Sequence, residues 1–331
     1  MEIRQLPVAQ AVGHILVHHQ TGPDGRKVLK KGRVLTGDDV AVLQSLGREA
    51  VVVAVLAEDD LPENEAARRL AGVVAGPHLV ASKPVGGRVN FFADTPGLLK
   101  VNIDGLLAFN DHDGITLATR LHNTVLTPKM QAATLKIIPY AIPRSAVEAA
   151  AGTARQFAPL VTVRPFTRRR VVLLTTGSEQ ARESVVNGFT PALSARMARY
   201  GAALVQGPHT TEDVSAIADA IHQAAAQAAE MVIIAGETSI MDRDDIVPQA
   251  IRAAGGVVEH FGVPAEPGNL LLLAYLGDLP IVGAPGCARS KKFNVVDRVL
   301  PRLVAGERLT RRDLLALGHG GLLRGEDGLE G

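Results

Sequence analysis

From Arg168 onward the chain alternates short, unbroken apolar runs with longer periodic segments. The runs are VVLLTT at 171–176, ALVQG at 203–207, MVIIAG at 231–236 and LPIVGAPG at 279–286. Each is short, β-branched or leucine-rich and closed by Gly, Thr or Pro, the pattern of a strand buried on both faces. Between them, TPALSARMARYG (190–201) reads as a helix capped by Thr190, with Pro191 at its first position and Gly201 past its end. EDVSAIADAIHQAAAQAAE, DDIVPQAIRAAGG and KKFNVVDRVL supply three more helices. Strands alternating with helices of this length predict a parallel sheet covered on both faces. The ligand of such a sheet lies beyond the carboxyl ends of its strands.

The first half has a different texture. A helix is predicted from an N-cap at Thr36 to just before Gly47, a buried strand over EAVVVAVL (49–56) and a second helix over ENEAARRLAGVVAG (63–76). KVNIDGLLAFN, GITLATRL and ATLKIIPYAIP are short and separated by Gly, Asp, Asn and Pro, which reads as a mostly β module. SAVEAAAGTA closes it with a helix. The expected division is a small α/β domain over 1–76, a mostly β domain with a terminal helix over 77–160, an α/β domain over 168–305, and a helix and tail over 306–331. The fold class is α/β, with a three-layer parallel sheet in the carboxy-terminal half.

Composition removes several functions. With 47% hydrophobic and 21% charged residues, a formal charge of +1, no Trp and 3% aromatics, the chain has neither the basic field nor the stacking surfaces of a nucleic-acid binder. A single cysteine, Cys287, excludes an internal disulfide framework. No apolar run approaches the roughly 20 residues that span a bilayer, and MEIRQLPVAQAVGH has no signal-peptide pattern, so a cytoplasmic protein without membrane contact is expected.

Three strand-end loops carry the candidate chemistry. In TTGSE (175–179), the hydroxyls of Thr175, Thr176 and Ser178 and the backbone at Gly177 suit a phosphate; the competing reading is an ordinary turn. In AGETSIMDRDD (235–245), Gly236 permits close backbone approach, Thr238 and Ser239 offer hydroxyls, and Asp242, Asp244 and Asp245 offer carboxylates for Mg²⁺. Against that, Asp244 or Asp245 would serve equally as the cap of the following helix. In GAPGCARS (283–290), Pro285, Gly286 and Ser290, with Arg289, Lys291 and Lys292 close behind, suit an anion at a helix start. The ten histidines show no paired metal-ligand spacing, so no zinc site is expected.

Residues 168–290 resemble the molybdopterin-binding fold of molybdenum cofactor biosynthesis proteins, as in the molybdopterin molybdenumtransferases (MoeA and the gephyrin E part). Thr175, Thr176, Gly177, Ser178 and Glu179 stand where that family has Ser-Thr-Gly-Asp-Glu. Ala235 to Asp244 stand for its Ser-Gly-Gly-x-Ser-x-Gly-Asp-x-Asp loop, with Glu237 at the second glycine. Gly283 to Ser290 stand for Gly-Leu-Pro-Gly-Asn-Pro-x-Ser, and Glu266 to Leu270 for Lys-Pro-Gly-Lys-Pro, so both lysines are replaced, by Glu266 and Asn269. The whole arrangement is similar to a poorly characterised group of molybdopterin-binding proteins, some fused to a nucleotidyltransferase.

The resemblance implies a protein that binds molybdopterin or the molybdenum cofactor in its biosynthesis, carriage or delivery. Cofactor-binding residues would be Thr175, Thr176, Gly177, Ser178, Gly236, Glu237, Thr238, Ser239, Pro285, Gly286 and Ser290. An alternative is a Mg²⁺-dependent molybdenumtransferase or nucleotidyltransferase, with Glu179, Asp242 and Asp244 catalytic and Asp242, Asp244 and Asp245 on the metal. The missing lysines weaken stabilisation of a transferred oxyanion and count against turnover. A second alternative is a CinA-like nucleotide pyrophosphatase, loosely suggested by DRDD. Implied partners are a separate nucleotidyltransferase or molybdoenzyme and further copies of the chain, as a homo-oligomer.

Overall fold

The computed structural model describes residues 1–323; the part of the expected tail beyond these lies outside them. Contacts divide the chain into two units, Met1–Thr95 with Leu99–Val163, and Pro96–Leu98 with Arg164 onward.

The first unit contains two apolar cores. One joins Val8, Leu16, Leu35, Leu43 and Val53, under a three-stranded sheet with Ala50–Val55 at its centre. Its helix, Gly37–Ser45, starts at Thr36 as the sequence predicts. The Thr36 hydroxyl accepts from the Asp39 amide while the Asp39 carboxylate accepts from the Thr36 amide, a reciprocal cap. The other core runs from Leu61 to Val163, and includes the helices Glu63–Val74 and Arg144–Gln156 and a four-stranded antiparallel sheet. One segment read as part of the β texture departs from it. Ile103–Asn110 is a helix, because the Asn102 side chain accepts from the Gly105 amide at 2.9 Å and so supplies a cap.

In the second unit the elements are β1 (Arg170–Thr176), α1 (Arg182–Arg199), β2 (Ala203–Thr210), α2 (Val214–Ala226), β3 (Met231–Gly236), α3 (Ile246–Ala253), β4 (Val257–Phe261), β5 (Leu272–Leu276), β6 (Leu279–Gly283) and α4 (Val295–Val304). They build a six-stranded sheet in the order β2-β1-β3-β6-β5-β4. The first four of these strands are parallel, as predicted. β5 and β4 are antiparallel additions. β5 and β6 form a hairpin around Gly277 and Asp278, which the sequence reading passed over because both flanking runs are apolar throughout. Period-two alternation sorts the buried strand residues between two faces. Val172, Leu174, Val232 and Ile234 join Ile217, Ile221 and Ile251 of α2 and α3 in one core. Val171, Leu173, Met231 and Ile233 are equally buried on the other side, where α1 covers the sheet. The result is the expected three layers.

The start of α1 corrects the sequence reading. The helix begins at Arg182, and Pro191 lies inside it rather than at its first position. A proline within a helix costs about 3 kcal/mol through a lost hydrogen bond and a ring clash. Here the buried stripe of Val185, Phe189, Ala192, Leu193, Arg196 and Met197 continues through it with helical spacing. Packing of two further turns outweighs the local penalty, each large side chain contributing roughly 1.5–3 kcal/mol on burial.

Candidate functional site

The loops after β1, β3 and β6 leave the carboxyl ends of three neighbouring strands. Two of them border one cavity of about 280 Å³, lined by Gly236 at the end of β3 and Glu237, Thr238 and Ser239 after it, by Ala284, Gly286 and Arg289 after β6, and by Phe189 of α1. The turn after β1 is tied to its rim through Glu237. This is the strand-end crevice that the alternating pattern predicts.

The turn after β1 is shaped by glycine. Gly177 has φ +147°, and a Cβ there would lie 2.7 Å from the Cβ of Glu237. The space it leaves admits Glu237, whose Oε2 accepts hydrogen bonds from the Ser178 amide at 2.8 Å and the Ser178 hydroxyl at 2.9 Å. These bonds, the amide first, hold the Glu237 carboxyl below its ordinary range. The position at which the sequence suggested a phosphate is therefore filled by the chain's own carboxylate. The two threonines before it are fully buried. The Thr175 hydroxyl lies 3.0 Å from His209 Nδ1, whose other ring nitrogen is 3.3 Å from the Ser178 carbonyl oxygen. Thr175 is thus held away from the cavity, while Thr176 borders a smaller hollow of about 20 Å³ beside Thr238, Ser239 and Asp245.

The β3 loop brings some predicted residues in and turns others away. Gly236 is required by a close backbone approach, since a Cβ would meet the Thr238 carbonyl oxygen at 2.7 Å. Thr238 donates its hydroxyl to Glu212 at 2.8 Å. Ser239 borders both cavities. Asp245 caps α3: Oδ1 accepts from the Ile246 amide and Oδ2 from the Met241 amide. Asp242 Oδ1 accepts from the Asp244 amide at 2.8 Å, and Asp244 faces Arg252 at 3.4 Å with its side chain 84% exposed. Among the described residues no group of three or more His, Cys, Asp or Glu side chains is placed to hold a metal ion. In this arrangement the three aspartates are engaged with backbone amides and Arg252 and do not gather into such a group. Glu179 likewise points outward, paired with Arg182 at 3.1 Å and 74% exposed.

The β6 loop is fastened from beneath. Buried Arg196 of α1 donates to the carbonyl oxygens of Ser290 at 2.8 Å and Lys292 at 3.0 Å, and to both carboxylate oxygens of Asp297. Asn294 Nδ2 donates to the carbonyls of Cys287 and Lys292. Pro285 is the cap residue of the short turn at Gly286–Arg289, and the Ser290 hydroxyl accepts from the Lys292 amide; neither residue borders the cavity. Cys287 is half-buried, and burial pushes its thiol up to about 11, so it is not an activated nucleophile.

Sequence reasoning left four neighbours of the site uncommitted. Phe189, buried in α1, carries the Arg289 guanidinium 4.6 Å above its ring. In the sequence Arg289 is one base among several, beside Lys291 and Lys292, with nothing to single it out. Glu212 and His209 lie in the segments after and within β2, and reach the site only through the fold.

The family described as a probable molybdopterin binding domain matches residues 172–305, and residues 5–55 match a domain of unknown function. The first of these matches falls within the second unit, over the segment whose loops resemble that family. Among curated proteins none matches the chain. Similar solved structures include a molybdenum cofactor biosynthesis protein from Pyrococcus furiosus, 13% identical, covering 92% of this chain and 64% of that one, with a TM-score of 0.26. A molybdopterin biosynthesis MoeA protein from Pyrococcus horikoshii is 12% identical over 92% of this chain and 75% of its own, with a TM-score of 0.33. A CinA protein with unknown function from Thermoplasma acidophilum is 14% identical over 41% of this chain and 98% of its own, with a TM-score of 0.29. This chain spans 64% of the length of the first of these proteins. No helix among the described residues is long and apolar enough to cross a membrane.

Proposed function

We propose that this protein, whose residues 172–305 match the family described as a probable molybdopterin binding domain, binds molybdopterin or a nucleotide form of it at the strand-end cavity, and carries or delivers it in molybdenum cofactor biosynthesis. The observation that carries this reading is the meeting of the β3 and β6 loops around one cavity of about 280 Å³, inside the segment that matches that family. Gly236 and Gly286 keep its walls low, Thr238 and Ser239 supply hydroxyls, and Arg289 supplies the cation. A concave site with a few convergent polar groups suits a compact heterocycle bearing one anionic group.

Carriage is favoured over turnover by what the acids do. Asp242, Asp244 and Asp245 are spent on backbone amides and Arg252, and Glu179 on Arg182. A transferase needs donors or a metal aimed at developing charge, and these four carboxylates supply neither here. The chain's own residues bind, orient and exclude water in this reading.

The test is titration of the purified protein with molybdopterin, with and without Mg²⁺, repeated for Ser239→Ala and Asp244→Ala. Binding weakened by Ser239→Ala, and unchanged by Asp244→Ala or by Mg²⁺, is the expected result. Strong dependence on Mg²⁺ and Asp244 would favour the transferase alternative, and added molybdate or nucleotide would then reveal turnover. No binding under any condition would overturn the pterin reading.

A further inference from the structure

The cavity has opposite charges on its two walls: Glu237, at the position where the motif this chain resembles has its second glycine, and Arg289, at a position that motif leaves open. On the β6 side, Arg289 lies against α1 at Gly188, where an added Cβ would stand in ordinary contact, 3.4 Å from the Arg289 Cδ. Its guanidinium stacks on Phe189 at 4.6 Å. Its one hydrogen bond among the described residues is long, 3.5 Å to the Gly236 carbonyl oxygen, and no carboxylate pairs with it there. A guanidinium placed over an aromatic face keeps its N–H donors for other partners, and their planar fork suits a carboxylate or phosphate.

On the β3 side, Glu237 is anchored by one oxygen only. Oε2 accepts both Ser178 bonds, while Oε1 accepts none from a described residue. The amide and hydroxyl that an incoming phosphate would use at this turn are already satisfied by a resident anion, and a second anion beside it would meet like charge.

We propose that Arg289 is the oxyanion receptor of the cavity and Glu237 its opposing acceptor, so that the ligand lies with a phosphate-type group on Arg289 and a hydrogen-bond donor edge on Glu237 Oε1. The proposal deepens the pterin reading and rests on it for the ring end, because the amino-pyrimidinone edge of a pterin presents adjacent N–H donors to a carboxylate. Of the loops that the sequence offers to an anion, it selects, over the Thr175–Glu179 turn, the one that carries Arg289.

Two fragments separate the ends. Calorimetric titration with inorganic phosphate reads Arg289, and titration with a phosphate-free pterin reads Glu237. Both side chains are exposed, so Arg289→Ala and Glu237→Gln leave the core intact, which far-UV circular dichroism checks. Arg289→Ala is expected to weaken phosphate about tenfold and to leave the phosphate-free pterin unchanged. Glu237→Gln is expected to weaken the phosphate-free pterin by a similar factor and to strengthen phosphate severalfold, since the neutral amide still accepts from Ser178. Phosphate affinity unchanged in Arg289→Ala, or lost in Glu237→Gln, would overturn the proposal. Molybdopterin binding that neither substitution alters would overturn it as well and leave the pterin reading intact. Phosphate lost in Arg289→Ala, with no pterin of either kind bound, would support Arg289 as the receptor and overturn the pterin reading instead.

Discussion

Replacing Arg196 by alanine should loosen the β6 loop and destabilise the second unit by about 3–5 kcal/mol, the usual cost of leaving a buried ionic partner without its counter-charge. The Arg196 and Asp297 side chains are 5% and 9% exposed, and their nitrogen and oxygen lie 2.8 Å apart. The same guanidinium satisfies the Ser290 carbonyl and shares the Lys292 carbonyl with Asn294 Nδ2, so its loss orphans the Ser290 acceptor besides removing the counter-charge of the carboxylate. For a unit of this size, with roughly 2–4 °C per kcal/mol, the melting temperature should fall by about 10 °C. The chain has no tryptophan, so scanning calorimetry is the better probe. Hydrogen exchange should localise the effect to the amides of Ala288 and Ser290, which bond within the turn. Arg196→Lys retains the charge but not the fork, and should lose about half as much. In a double-mutant cycle with Asp297→Asn the two losses should be strongly non-additive. A cost below about 1 kcal/mol for Arg196→Ala, with exchange in the loop unchanged, would refute the idea that this arginine fastens the site from below.

Three further outcomes are expected. Asp313 is held at about 2: burial alone would raise it, but hydrogen bonds from Arg302 and Thr310 outweigh that. Because the folded value lies below the unfolded one, its contribution is present above about pH 4 and lost as pH falls towards 2. Asp313→Asn should therefore cost on the order of 1 kcal/mol near neutrality, discounted for a one-third exposed side chain, and almost nothing at pH 2, as measured by urea unfolding across pH. Gly268→Ala should block folding of the second unit, since its Cβ would lie 2.1 Å from Val295 Cγ1 at φ +128°, whereas Gly255→Ala meets nothing within 4 Å at φ +82° and should cost about 1–2 kcal/mol of backbone strain; soluble yield and unfolding midpoints separate the two. Cys287, its thiol raised from 9.0 to about 11, should react with iodoacetamide near pH 8 about a hundredfold more slowly than an unperturbed thiol, in proportion to its thiolate fraction.

The core of the second unit was legible because burial on both faces leaves unbroken apolar runs, and those runs end where the chain turns into ligand loops. What escaped depends on contacts between distant positions. Pro191 looks like a helix start because the favourable term, the stripe from Val185 to Met197 against the sheet, is tertiary. Ile103–Asn110 looks like loop and strand because one Asn102 hydrogen bond starts it. The same holds at the site. Gly177 and Gly236 could be named from their places at strand ends, but the Glu237 carboxylate reaches back 59 positions to Ser178. Asp245 shows the limit most plainly. A helix cap and a metal ligand both require an aspartate in a strand-to-helix loop, so residue type and spacing do not separate them. They differ only in where the two oxygens go, and here both go to amides, of Ile246 and Met241. Arg289 shows the converse. Among Arg289, Lys291 and Lys292 nothing in the order of residues favours one, yet only the first has Gly188 and Phe189 beneath it. A charge becomes a recognition element when its side chain is held over the cavity, and the hold comes from a helix some hundred residues away.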